Sequence, residues 1–393
     1  MKIVNLLKFE IVKLLRSPAI PGFLTACLIL NVFLVFVSSY RQDIEFMNDI
    51  TRITGSVYGA EYMENLKLIP IPDMYDFDGR YWRYNELIQA AENARNVFAD
   101  LDGGRELRER LPNAPYSDLT IQIQQWKYGL LTPVIEQKAT DNDGAYVYFG
   151  SRSAWIHDTV FGALGKILAM QASVFFILIM LWTMGFENMV GTGLVTWSAK
   201  TGRKLAFYKA AAALALGTGF FIIIYVVTYG LTFIVNDFSL VWGQNVSAQY
   251  NMVFAPFFGQ LPFITWSSKT IGEYFFASVG VALLNGIVTA LFAIPFGLLI
   301  KNVYAAFCSI AGFTFLQFLF YFAGQQMETL PFVWNLSLIT PFTQIMENTL
   351  WFTDGGMNML LPHFEILYPL ICILLLCPVI IIAGKKFKRK EIV

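Results

Sequence analysis

Residues 167–186 read ILAMQASVFFILIMLWTMGF, and residues 187–209 continue ENMVGTGLVTWSAKTGRKLAFYK. The first stretch holds no Lys, Arg, Asp, Glu or His. At 1.5 Å per residue its length matches the roughly 30 Å hydrocarbon core of a bilayer. The second stretch turns polar at once and carries Lys200, Arg203, Lys204 and Lys209. An apolar run of this length that ends on a short basic loop predicts a transmembrane helix with that end in the cytoplasm, where Lys and Arg are retained.

Five further runs share the pattern: 19–40, 210–235, 274–300, 303–323 and 366–384, none with a charged residue or His. The whole chain of 393 residues is 56% hydrophobic and 14% charged, against roughly 25% charged in a soluble domain. The fold expected is an α-helical polytopic membrane protein with six transmembrane helices. Charges that survive inside a bilayer usually mark proton relays or ion sites, so their absence from the spans argues against a proton-coupled carrier.

Basic residues set the orientation. Lys2, Lys8, Lys13 and Arg16 precede the first span, Lys301 separates the fourth from the fifth, and Lys385, Lys386, Lys388, Arg389 and Lys390 follow the sixth. The opposite short loops carry only Lys269. Both termini are expected in the cytoplasm of a cell-membrane protein, with residues 41–166 extracellular. The first run is longer than a signal-peptide core and no small-residue cleavage site follows it, so it reads as an uncleaved span.

The pieces between spans have their own patterns. Residues 1–18 place Ile3, Val4, Leu7, Ile11, Leu14 and Leu15 on one stripe, predicting an N-terminal interfacial amphipathic helix that bends at Ser17-Pro18. Residues 41–166 are long enough for a mixed α/β external domain. There Tyr84 to Leu101 reads as a helix ending at Gly103-Gly104, Ala145 to Phe149 alternates like a strand, and Ser117 to Trp126 fits either. Residues 236–273 form an aromatic external loop. Residues 325–365 contain Phe332 to Ile339 and Phe342 to Phe352, split by Thr340-Pro341 and each too short to cross. That segment fits a re-entrant hairpin or an external loop of surface helices. Residues 385–393 are a basic cytoplasmic tail.

The chain offers no enzyme constellation. Its four cysteines sit in apolar runs, and its two histidines, His157 and His363, lack metal-site spacing. Gly162-Ala163-Leu164-Gly165-Lys166 is too short for a phosphate-binding loop and lacks its Ser or Thr. Asp73, Asp76 and Asp78 read as a solvated surface. No cofactor or metal is expected on this chain, and no nucleic-acid partner.

An amphipathic N-terminal helix, a span, an external region and a second span lead to Glu187, Gly191 four residues later, then Arg203 and Lys209 before the third span. This order resembles the type-2 ABC exporter permease family. The resemblance implies that 187–209 is a coupling loop, with Glu187, Gly191, Arg203 and Lys209 at the matching positions. It also implies a dimer of cytoplasmic ABC ATPase subunits, which bind ATP and Mg, and a second permease, identical or sibling. Taken alone, the same cations are positive-inside anchors and Gly191 and Gly193 a turn. Neutral polar residues within the spans, Asn31, Gln171, Asn285, Thr289 and Gln317, are the expected lining of a path. Such a lining suits amphiphilic cargo: an antimicrobial peptide, an antibiotic or a lipid-like compound. The layout resembles bacterial members of the family. A ligand-sensing or regulatory membrane protein without transport is the alternative. A membrane-embedded enzyme would need acid, base or metal groups in or beside the spans.

Overall fold

The computed structural model describes residues 2–75, 79–92, 94, 97–101, 109, 116–198, 202–250, 263–327 and 331–389. Within them six helices are long and apolar enough to cross a membrane, the architecture of a multi-pass α-helical membrane protein. Helix α1 (Lys2–Leu15) bends at Ser17-Pro18 into the first span, α2 (Ala19–Val37). Three helices follow outside the bundle: α3 (Arg41–Thr54), α4 (Ala60–Leu68) and α5 (Arg80–Glu92). Next comes α6 (Asp118–Thr140), started by Ser117, whose hydroxyl accepts from the Thr120 N–H. The second span includes α7 (Gly165–Met189), a short helix α8 (Gly193–Ser198) follows, and the third span is α9 (Gly202–Val235). The fourth and fifth spans are α10 (Ile271–Leu299) and α11 (Val303–Gln326). A short α12 (Pro331–Ser337) precedes the sixth span, α13 (Phe364–Arg389).

The second span is the axis of the bundle. Its apolar window is 72% buried, against 22% for α2 and 11% for α11, so α2 and α11 leave most of their surface exposed while the second span faces the rest of the chain. Small residues permit this. Phe176 of α7 lies between Gly217 of α9 and Gly286 of α10, and a Cβ added to Gly286 would come within 2.5 Å of its ring. Beside it, Phe175 and Phe220 stack with centroids 3.7 Å apart. Packing with small residues at the contact substitutes for a hydrophobic driving force, which lipid does not supply between helices.

Outside the bundle, Phe46, Ile50, Tyr62, Leu66 and Leu87 gather α3, α4 and α5 around a core of their own. Tyr128, Leu131 and Ile135 of α6 pack on Ile264 in a second cluster. Lys127 of α6 is buried, and its ammonium donates to the carbonyls of Asp354, Gly356 and Met359 at 3.1, 2.7 and 2.7 Å. The expected mixed α/β domain does not form, since the described residues contain no strand. Ala145 to Phe149 makes one isolated bridge, between Tyr146 and Val57. Positive φ at Tyr148 and Gly150, 53° and 58°, ends the extension before a ladder can start. Ser117 to Trp126 is helical, and the helix expected over Tyr84 to Leu101 stops at Glu92, with a separate turn at Val97–Asp100. Gly103-Gly104, Asp76, Asp78, Lys200 and Lys390 lie outside the described residues.

Residues 331–350 fold back against the helical bundle. After α12, the chain turns at Thr340-Pro341 into short turns over Pro341–Gln344 and Ile345–Leu350. The Phe342 ring lies 5.9 Å from that of Phe292, which at 1.5 Å per residue is roughly 30 Å along α10 from its start. Backbone at that depth must find partners within the protein. Thr343 donates to the Ser337 carbonyl, and Asn335 donates to those of Pro331 and Asn358 at 2.7 and 2.8 Å.

Two outcomes follow from this packing. Gly286→Ala forces the Phe176 ring to shift and is expected to destabilise the bundle by about 1–3 kcal/mol. Gly280→Ala, whose Cβ would meet nothing within 4 Å, leaves the detergent unfolding midpoint in place; equal midpoints for the two variants would refute the tight packing. Burial lowers the Lys127 pKa to about 8, with the Asp354 carboxylate opposing it, whereas the unfolded chain holds that proton with the ordinary lysine value of about 10.4. The α6 contact therefore gains stability as pH rises from about 8 to about 10. Exchange of α6 amide hydrogens, corrected for the intrinsic rate, should slow across that window.

Candidate functional site

At the end of the bundle where α1 lies, the amphipathic pattern of α1 puts Glu10 and Lys13, three residues apart, on one face. Glu187 sits in the last turn of α7 and Lys209 in the second turn of α9. All four side chains meet. Lys209 Nζ lies 2.6 Å from Glu187 Oε1 and 3.1 Å from Glu10 Oε2. Lys13 Nζ lies 3.0 Å from the same Glu187 oxygen and 2.7 Å from the same Glu10 oxygen. A fifth contact, from Lys209 Nζ to the Thr183 carbonyl at 3.3 Å, ties the cluster to the α7 backbone.

Two ammonium groups thus alternate with two carboxylates, and the formal charge of the cluster is zero. Lys209 is fully buried and Glu10 is 2% exposed. Burial alone would lower the Lys13 pKa, yet the Glu10 and Glu187 carboxylates hold it above the usual lysine value. Desolvating four charges is expensive and is offset only by mutual pairing. The cluster is therefore a positional constraint: α1, α7 and α9 have to arrive together or leave charge stranded.

The connection rooted on this cluster is short. Gly191 takes a φ of 75°, a conformation that suits glycine, and turns the chain from α7 toward α8. A side chain at Gly193 would place its Cβ 2.6 Å from Asn188 Oδ1. Trp197 packs edge-on against Phe387 of α13, with centroids 5.2 Å apart. On α8, Val195 is 76% exposed, and Val190 before it is also exposed.

Of the positions marked by the resemblance, Glu187 and Lys209 come together, but inside the protein rather than on its surface. Gly191 makes the turn. Arg203 falls in the first turn of α9, its side chain outside what is described. Sequence reasoning missed Glu10 and Lys13 as partners of this loop. The available signal was Glu10 itself, the one acid in an otherwise basic amphipathic helix and three residues before Lys13.

The five expected path residues do not converge. Asn31 and Gln171 bind each other reciprocally, Asn31 Nδ2 to Gln171 Oε1 at 2.9 Å and Gln171 Nε2 to Asn31 Oδ1 at 2.7 Å, with Thr228 Oγ1 accepting at 3.1 Å. This joins the first three spans. Asn285 and Thr289 instead donate to carbonyls one turn back on α10, at 3.2 and 2.8 Å. Gln317 is half-exposed on α11. A cavity of about 50 Å³ lies between Ser38, Thr159, Thr232 and Asn236, room for water rather than for a peptide.

At the other end of the second span, Asp158–Leu164 forms a π-helix, a geometry that frees backbone carbonyls and recurs at functional sites. Asn348, from the inward-folded segment, donates to the Phe161 and Gly162 carbonyls at 2.9 and 2.8 Å. Tyr229 of α9 donates to the Val160 carbonyl at 3.1 Å. His157, one residue before, is enclosed by Phe161, Phe263 and Tyr274, with Tyr148 at hydrogen-bond distance.

No family model, curated protein or solved structure matches the chain. Fold and geometry define its class as an α-helical multi-pass membrane protein.

Lys209→Met strands Glu10 and Glu187 with one ammonium between them and is expected to cost about 3–5 kcal/mol. The double variant Glu187→Gln with Lys209→Met should lose less than the sum of the two single variants, read from unfolding midpoints in detergent. Additive losses would show that the two groups do not act as one unit.

Proposed function

We propose that the chain is the membrane-spanning subunit of an ABC exporter, moving an amphiphilic substrate at the expense of ATP hydrolysed on a separate ATPase. The observation that carries this reading is α8: a short helix with exposed Val195, rooted at both ends on helices that the ionic cluster locks to α1. A loose loop would absorb a push by bending. A helix on fixed roots passes it to α7, α9 and α1 together. On this reading both termini and α8 are cytoplasmic, residues 41–166 are extracellular, and the chain works in a cell membrane beside a second permease and a dimer of ATPases that hold ATP and Mg.

The ATPases supply the free energy because a ligand shifts a conformational equilibrium only through its different affinity for the two states. On this reading, the Asn31–Gln171 pair joining spans one and two belongs to a closed state. Opening a path parts these amides and offers them to cargo: an antimicrobial peptide, an antibiotic or a lipid-like compound, as in bacterial resistance exporters. The helical assembly outside the bundle, with its own apolar core, favours one other reading, a ligand sensor that signals without transport.

The test is affinity purification of the tagged chain from gently solubilised native membranes. A Walker-motif ATPase should co-purify at comparable amounts. Val195→Asp, which puts a carboxylate on the docking face, should reduce its recovery by about tenfold or more, the factor given by 1.4 kcal/mol of lost binding. Repeated purification without an ATPase, under conditions that keep other membrane complexes intact, would replace the exporter with the sensor.

A further inference from the structure

Beside the ionic cluster, an open groove of about 410 Å³ runs between α1 and α7, bounded by Phe9, Lys13, Arg16, Ser17, Trp182 and Phe186. Its polar groups are mismatched in one direction. Ser17 is 8% exposed and its hydroxyl has no partner. The Trp182 indole N–H is buried without an acceptor. A buried polar group left without a partner is costly, so each of these calls for one. Lys13 is balanced by Glu10 and Glu187, whereas Arg16 pairs with no acid among the described residues. The first turn of α2, which begins after Pro18, contains no acid to offset Arg16.

We propose that this groove binds the phosphodiester headgroup of an anionic phospholipid. An indole N–H, a guanidinium and an ammonium donate and do not accept, and the Ser17 hydroxyl can donate with them. A phosphodiester is the matching species, since it presents acceptors only and carries one negative charge. The apolar walls decide between a lipid and a soluble phosphate. Phe9 is 64% exposed, Leu15 is also exposed, and the Phe186 ring lies 4.5 Å from Lys13 Nζ. An amphipathic helix seats such a face at the headgroup–acyl boundary, where acyl chains can lie along Phe9 and Phe186 while the phosphate meets Arg16, Ser17 and Trp182. The site does not depend on the exporter reading. It would make the seating of α1, and so of the ionic cluster behind it, sensitive to the lipid present.

The experiment is native mass spectrometry of the purified full chain offered equal phosphatidylglycerol and phosphatidylcholine. Phosphatidylglycerol adducts should dominate. Arg16→Gln should cut their retention by about tenfold, equivalent to 1.4 kcal/mol, and Trp182→Phe should reduce it several-fold. Lys8→Gln, on the same helix but outside the groove, should not. Excess glycerol phosphate should fail to displace the lipid. Equal retention of both lipids, or an Arg16→Gln variant of unchanged unfolding midpoint that keeps its phosphatidylglycerol, would overturn the site. Displacement by glycerol phosphate would overturn the lipid assignment in favour of a soluble phosphate ligand.

Discussion

Two ammonium groups and two carboxylates meet in a largely buried space between α1, α7 and α9, and the arrangement of that end of the protein depends on them. Each ion is tolerable there only because two of opposite sign lie within about a hydrogen-bond length. Such a cluster resists partial disruption, because withdrawing any one member exposes the rest to an uncompensated low-dielectric environment. It holds α1 against the bundle although α1 is too short and too polar to cross, and it fixes the separation between the end of the second span and the start of the third. Whatever α8 touches, it touches from a rigid base.

Away from that end, the structure relies on shape rather than charge. The second span reaches from Gly150 to Met189 and meets its neighbours through glycines on their sides: Gly217 and Gly286 around Phe176, with Gly324 admitting the Trp334 backbone where α11 meets α12. At the end away from α1 the helix widens into a π-turn, and the freed carbonyls are taken by Asn348 and Tyr229. One end of the rod is therefore held by ions and the other by hydrogen bonds to its backbone, with aromatic packing between. A movement imposed at α8 has a continuous, close-packed element along which to travel.

The groove beside α1 lies against the same ionic cluster. Lys13 belongs to both, since its ammonium bridges Glu10 and Glu187 while its position over Phe186 forms one side of the groove. The groove and the connection between spans two and three are thus neighbours across one side chain.

The amino-acid sequence by itself determined the six spans, the amphipathic α1 and the break at Ser17-Pro18, because crossing a bilayer requires long uncharged runs and this requirement is local. Glu187 and Lys209 are singled out only by the resemblance of their loop to that of an exporter permease. Their burial could not be foreseen, because it depends on Glu10 and Lys13, well over a hundred residues away in the chain, and no local pattern records which distant charge will neutralise which. The alternation in Ala145 to Phe149 promised a strand, but a strand needs a partner edge, and the positive φ at Tyr148 and Gly150 turns the chain away. For the same reason, the pairing of Asn31 with Gln171 could not be read from the sequence: an amide inside a membrane takes the nearest partner, and only packing decides which partner is near.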